Sequence, residues 1–109
     1  MALTSLQNGT QTATIGTEHT LGSTVTAAGT FLLSVNTTNM VNGDILELRA
    51  KTKVLTRGSE AVYLLAAYAH VQGAPVKMSI PIPSVYSLTF TLKQTAGTGR
   101  AFEWNILAL

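Results

Sequence analysis

Few residues of this 109-residue chain could carry out acid–base or metal chemistry. Glu18 and His19 are neighbours, and adjacent residues of a strand point to opposite faces, so they cannot share a proton or a metal ion. No spacing joins the other candidates into a motif, and the lack of cysteine removes thiolate nucleophiles and thiolate ligands. The sequence therefore predicts no enzyme, no cofactor and no metal site. The carboxylates and histidines considered for such chemistry are Asp44, Glu18, Glu47, Glu60, Glu103, His19 and His70.

Three of the polar motifs have structural interpretations. Asp44 follows Asn42-Gly43, a turn in which an acidic side chain accepts hydrogen bonds from nearby backbone amides. His70 lies on an apolar segment in line with Tyr68, which favours a core or interface position where its titration would make assembly sensitive to pH. Residues 97–100 (GTGR) lack the lysine and helix of a phosphate-binding loop and predict a hairpin turn, whose arginine could reach a neighbouring subunit.

Charge is scarce in this chain. Charged residues make up 11% of it, against about 25% in soluble domains, and the net charge of +2 is too small to form a surface for polyanions. The basic residues cluster once, at Arg49, Lys51 and Lys53. Three interpretations stay open: a solvated face, a contact with an acidic protein surface, and a nucleic-acid contact. The last is least favoured because no exposed aromatic row accompanies the basic side chains.

Alternation of apolar residues with period two predicts strands, and no window of ten or more residues has a helical period. Glycine-containing breakers occur about every ten residues. The sequence therefore predicts an all-β fold, a small antiparallel β-sandwich or jelly-roll-like domain with about seven to eight short strands. The residues predicted to face inward are Phe31, Leu33 and Val35; Leu46, Leu48, Ala50, Thr52 and Val54; Val76, Met78, Ile80 and Ile82; Tyr86, Leu88, Phe90 and Leu92; and Phe102, Trp104, Ile106 and Ala108.

The N-terminal residues differ from the rest. Residues 1–9 show neither alternation nor an aromatic side chain, so they are predicted to be a flexible arm before a single sandwich domain over residues 10–109. This opening also lacks a basic segment followed by a long apolar one, so we expect neither a signal peptide nor a membrane anchor.

Residues 62–71 (VYLLAAYAHV) are apolar on both faces. Two explanations stay open: a central strand covered on both sides, or a strand packed against another subunit. The second explanation makes this segment the strongest indication of an oligomer.

Residues 29–35 (GTFLLSV), 39–49 (NMVNGDILELR) and 92–104 (LKQTAGTGRAFEW) resemble small virion structural proteins of tailed bacteriophages, as does the threonine-rich N-terminal alternation. The resemblance covers most of the chain from about Gly29 onward and rests on strand and turn patterns. It is above all to capsid decoration, or cement, proteins. These are compact β-sandwiches that bind outside the assembled shell and tie its subunits together.

The resemblance implies a protein made in the host cytoplasm and located on the capsid surface of the virion. Its expected partners are the major capsid protein and further copies of itself, with a trimer preferred over a dimer; a membrane and nucleic acid are not expected partners. The predicted protein contacts are Leu3, Leu6, Arg49, Lys51, Lys53, Tyr63 and Tyr68.

The alternative is a carbohydrate-binding module associated with a tail or fibre and used for host attachment. Such modules present aromatic side chains to sugars, and this chain has few of them. Trp104 alternates with polar residues in the last predicted strand, so we expect it in the core.

Overall fold

The computed structural model describes residues 3–109 and confirms the predicted all-β sandwich. One antiparallel sheet has the order β1-β9-β3-β6, with β7 also paired to β3, and the other has the order β2-β8-β4-β5. The described residues form nine strands, more than the seven to eight predicted, because three of them have only three residues. The strands are β1 (Thr4–Thr12), β2 (Glu18–Thr20), β3 (Gly29–Asn36), β4 (Ile45–Thr52), β5 (Ala61–Ala69), β6 (Val76–Met78), β7 (Ile82–Ser84), β8 (Leu88–Ala96) and β9 (Ala101–Ala108).

The core lies between the two sheets and is supplied mainly by β3, β4, β8 and β9. In these strands apolar and polar residues alternate most clearly, and the face that contains the apolar residues is the one that is buried. The predicted inward residues that are buried are Phe31, Leu33, Val35, Leu46, Leu48, Ala50, Ile82, Leu88, Phe90, Leu92, Phe102, Trp104 and Ile106.

The inward assignment is wrong for the residues around β6. Val76, Met78 and Ile80 are each more than half exposed. Met78 pairs with Ser34 on β3, whereas the residue opposite the buried Val35 is Lys77, so β6 turns its lysine inward and its apolar residues outward.

Two other inward assignments are wrong because a strand is shorter than predicted. Val54 is 86% exposed since β4 ends at Thr52. Tyr86 is exposed because it lies in the turn between β7 and β8.

The flexible arm predicted for residues 1–9 is wrong where the structure describes it. From Thr4 onward the chain forms β1, which pairs with β9 as far as Thr12. Backbone pairing needs no apolar alternation, so the residue pattern did not indicate this strand. Gly9 lies opposite Trp104, and its missing side chain lets β1 pass close to the indole ring. Met1 and Ala2 lie outside the described residues.

The predicted turn at residues 97–100 joins β8 to β9 and is stabilised by an ion pair between the partly exposed Arg100 and the buried Asp44. Arg100 donates from Nε to Oδ2 of Asp44 at 2.9 Å, and the Val41 amide donates to the same oxygen at 3.0 Å. Burial acts to raise the pKa of Asp44, but these two hydrogen bonds and the charge of Arg100 outweigh it and hold the pKa below its ordinary value. Arg100 therefore stabilises this turn, and its suggested contact with a neighbouring subunit stays a prediction.

Candidate interaction surface

Exposed apolar side chains concentrate along one edge of the sandwich, where β5 of one sheet lies near β6 of the other. The described residues include seventeen large apolar side chains that are exposed, and nine of these fall between residues 54 and 80, about a quarter of the chain. Concentrated apolar surface of this kind marks an interaction site more often than a solvent-facing one. The nine are Val54, Leu55, Val62, Tyr63, Leu65, Val71, Val76, Met78 and Ile80.

Strand β5 is the edge of its sheet. Within the described residues it pairs only with β4, and the register places Ala66 opposite Leu48 and Leu65 opposite Arg49. Because directly opposite residues share a face, Ala66 faces the other sheet and Leu65 lies on the outer face, where it is 54% exposed. The structure therefore contradicts the central-strand explanation of residues 62–71, and the subunit-contact explanation stays a prediction.

An apolar cleft of about 170 Å³ opens beside β5. Ala66 and Tyr68 line it from one sheet, and Met78 and Ile80 line it from the other. The buried ring of Phe90 also borders the cleft, so part of the core lies directly beneath an opening to solvent.

The cleft exists because β6 is short. Its sheet continues through Ser79, whose amide donates to the Leu33 carbonyl, and then reaches Pro81 and Pro83. Proline has no backbone N–H to donate, so this segment cannot extend a regular ladder. As a result the two sheets do not close over each other along this edge.

The two predicted contact tyrosines both lie on β5 but differ in environment. Tyr63 is the extra residue of a β-bulge, because Leu64 pairs with Ala50 while Val62 pairs with Lys51, and it is 52% exposed. Tyr68 is half-buried and faces the cleft, with the ammonium nitrogen of Lys77 4.9 Å from its ring centroid. The sequence reasoning missed Lys77 because β6 was assigned the opposite orientation.

The predicted contacts Leu3 and Leu6 lie at a different edge. Leu3 precedes β1 and is 58% exposed, while Leu6 is the extra residue of a bulge in β1 and is 44% exposed. Since β1 and β5 are edge strands of different sheets, the structure does not bring these leucines together with the tyrosines.

The basic row is largely neutralised by carboxylates. Lys51 Nζ lies 3.0 Å from Glu18 Oε2, and Arg49 lies 3.0 Å from Glu47 and 3.8 Å from Glu18. Lys53 lies just after the end of β4. The sequence pattern correctly predicts that Arg49 and Lys51 share one face. It does not indicate that Glu18, on the distant strand β2, lies beside them.

The same glutamate helps to bury a threonine. Thr91 donates its hydroxyl hydrogen to Glu18, and this hydrogen bond, with the charges of Lys51 and Arg49, holds the pKa of Glu18 below its ordinary value although burial acts in the opposite direction. Thr89 likewise donates to Glu60 at 2.9 Å. Both threonines are buried, although they alternate along β8 with the core residues Leu88, Phe90 and Leu92.

His70 is exposed and lies immediately after β5. Its φ of 66° takes the chain out of the strand, and its Nδ1 accepts a hydrogen bond of 2.9 Å from the Gly43 amide. The predicted core position in line with Tyr68 is therefore wrong, because the backbone turns at this residue, and the alternative of an interface position stays a prediction. His70 fastens the end of β5 to the turn before β4.

Residues 3–109 bring no three His, Asp or Glu side chains into an arrangement that could hold a metal ion. The same residues contain no helix that is long and apolar enough to cross a membrane. Comparisons of the chain with protein-family models, with curated proteins and with solved structures found no match.

Proposed function

We propose that this chain is a virion structural protein of a tailed bacteriophage, a capsid decoration or cement protein that binds the outside of the assembled head. The observation that supports this most is exposed apolar surface at two separate edges of a domain with little charge: at Leu3 and Leu6 beside β9, and along β5, β6 and the cleft between them. Surface of that kind serves contact between proteins. The resemblance of residues 29–49 and 92–104 to decoration proteins supplies the kind of partner.

A decoration protein needs no chemistry to act. It binds the assembled shell and not the free subunits, so each bound copy lowers the free energy of the shell relative to its dissociated parts. Repetition of the site by the symmetry of the shell multiplies a modest interface many times.

We assign the shell contact to the β1 edge and the self contact to the β5 edge. Leu3, just before β1, and Leu6, on β1, are both exposed, which suits them to contact with the major capsid protein. The ion pairs of Arg49 and Lys51 leave little free positive charge for an acidic partner or for nucleic acid. These two residues therefore contribute less to the proposed contact than the leucines.

Co-sedimentation with phage shells that lack this protein tests the proposal. We expect saturable binding to intact shells, no binding to free capsid protein, and a clear loss of binding for Leu6→Lys. Thr20→Lys, which adds the same charge at an exposed position on β2, is the matched control and should bind like the unmodified chain. Absence of binding to shells would overturn the proposal.

No observation on the described residues favours the carbohydrate-binding alternative. Trp104 is 9% exposed, so the largest aromatic ring is unavailable to stack on a sugar. A polar recess elsewhere on the surface contains Asn36, which donates to Glu103 at 3.1 Å, and Asn39, which donates to the Ala101 carbonyl at 2.7 Å. These two amide side chains are thus already engaged within the chain.

A further inference from the structure

We propose that two copies of this chain associate through β5, each adding its β5 to that of the other in antiparallel orientation across a two-fold axis. The inference rests on the proposed function only in that a decoration protein is expected to self-associate. It replaces the trimer preferred from the resemblance with a dimer, because antiparallel pairing of one edge strand with itself joins two copies. It is tested on the purified chain without shells, so failure of this inference and failure of shell binding are separate results.

The edges of the two sheets differ in how far they resist pairing with another strand. Monomeric proteins protect edge strands by making them short or by placing charges or proline there. Here β2, β6 and β7 have three residues each and contain Glu18, Lys77 and Pro83 respectively. Strand β1 is long, but apart from Leu6 it consists of polar residues and glycine.

Strand β5 has almost none of these protections. Its nine residues include no charge, no proline and no glycine, and only the bulge at Tyr63 interrupts it. From Leu64 to Ala69 its pairing with β4 is regular, which leaves a straight row of backbone groups on the unpaired side. This is the edge most open to another strand.

A second copy fits both faces of β5. A two-fold axis normal to the sheet brings inward faces together, so Ala66 and Tyr68 of each copy would lie beside the same residues of the other, above the two clefts. Leu65 and Ala67 would lie together on the outer face. The two four-stranded sheets would become one sheet of eight strands.

The chemistry and size of this surface favour a second copy over a charged segment. A charged segment would lose hydration on β5, which has no charged residue to pair with it, whereas another β5 brings no charge; the cation at the cleft, Lys77, belongs to β6 and already lies over Tyr68. Val62, Tyr63 and Leu65 on β5 are each more than half exposed, so a second β5 would cover apolar surface of the kind found in the core of a standard interface, which buries about 800 Å² on each partner.

Light scattering after size-exclusion chromatography tests the association. We expect the unmodified chain to have twice the 11.5 kDa mass of one copy, and Leu65→Lys to have the mass of one copy. Ile15→Lys is the matched control, since Ile15 is also a half-exposed apolar residue but lies in the turn between β1 and β2. A monomeric unmodified chain, a trimer, or a Leu65→Lys variant of unchanged mass would overturn the two-fold pairing.

Disulfide formation gives a second test that does not depend on disrupting the strand. Because the chain has no cysteine, single cysteines at Leu65, Ala66 and Ala67 provide one thiol each. Residues directly opposite in an antiparallel pair have Cα atoms about 4.5–5.5 Å apart, which is within disulfide range. The two-fold axis passes through one residue of β5, and only a cysteine at that residue lies opposite the same cysteine of the other copy. We expect that variant to form a covalent dimer on oxidation, and Thr10→Cys on β1 to form none. Equal yields at β5 and β1 would overturn the proposal.

Discussion

Lys77 and Tyr68 face each other across the opening between the two sheets, with the ammonium nitrogen 4.9 Å from the ring centroid. One residue belongs to β6 and the other to β5, so this contact links the two edge strands that flank the apolar cleft. The lysine stem covers apolar surface there while its charge lies over the ring. The contact stabilises an edge at which the sheets do not otherwise close.

Removing this contact should lower stability slightly. We expect Lys77→Met to reduce the free energy of unfolding by about 0.5–1 kcal/mol, the usual size of a cation–π interaction near the surface. Urea unfolding of Lys77→Met, Tyr68→Leu and the double variant would isolate the coupling between the two residues. These variants should be made in the Leu65→Lys background, in which self-association does not contribute to the measured stability. Additive effects of the two substitutions would contradict a direct interaction.

The Asp44–Arg100 ion pair should make stability depend on pH in the acid range. The pKa of Asp44 is lowered in the folded chain, so its contribution is present above the unfolded pKa of about 3.9 and is lost as pH falls through the lower folded pKa. We expect the urea midpoint to fall as pH is lowered from about 5 to 2. Asp44→Asn should be less stable at neutral pH and change less over this interval. If the urea midpoints of the unmodified chain and of Asp44→Asn fell equally with pH, the titration of Asp44 would not be the cause.

All but one of the buried residues that sequence reasoning placed correctly lie on strands with neighbours on both sides; the exception is Ile82 on β7, which in the described part of the chain pairs only with β3. In β3, β4, β8 and β9 the alternation fixes a buried face because the second sheet covers it. Strand β6 has the same alternation, yet its phase is inverted. At an edge the apolar residues Val76 and Met78 can remain exposed while Lys77 lies over Tyr68. Alternation alone contains no information about which of its two phases faces the core.

The polar contacts of the candidate surface could not be predicted for a different reason. Glu18 reaches Thr91 and Lys51 from a three-residue strand far away in sequence, and Glu60 reaches Thr89 from the loop before β5. Nothing near Thr91 or Thr89 in the sequence distinguishes a threonine covered by a carboxylate from one facing solvent. Only the strand order shows the pairing.

Removing the charge of Glu18 should leave Arg49 and Lys51 with more unpaired positive charge. We expect Glu18→Gln to lose about 1 kcal/mol of stability, as for a partly exposed ion-pair network, and to bind a heparin column more tightly than the unmodified chain. The tighter binding follows because Lys51 and Arg49 each lose a carboxylate partner. Glu103→Gln makes the same change in net charge on the other sheet and is the matched control. Equal heparin retention of the two variants would show that net charge alone is responsible.

Alanine variants at two glycines with positive φ distinguish the stability cost of backbone strain from the cost of steric overlap. Gly43 has φ of 99° and no atom within 4 Å of an added Cβ, so Gly43→Ala should cost about 1–2 kcal/mol from backbone conformation alone. Gly97 has φ of 89°, but an added Cβ would overlap Oδ1 of Asp44 and lie 2.9 Å from its Cα. We therefore expect Gly97→Ala to be less stable than Gly43→Ala by about 2 kcal/mol or more, because it displaces the buried carboxylate from Arg100. Urea unfolding of both variants measures the difference, and combining Gly97→Ala with Asp44→Asn should give less than the sum of the two effects. Full additivity would show that the two positions act independently.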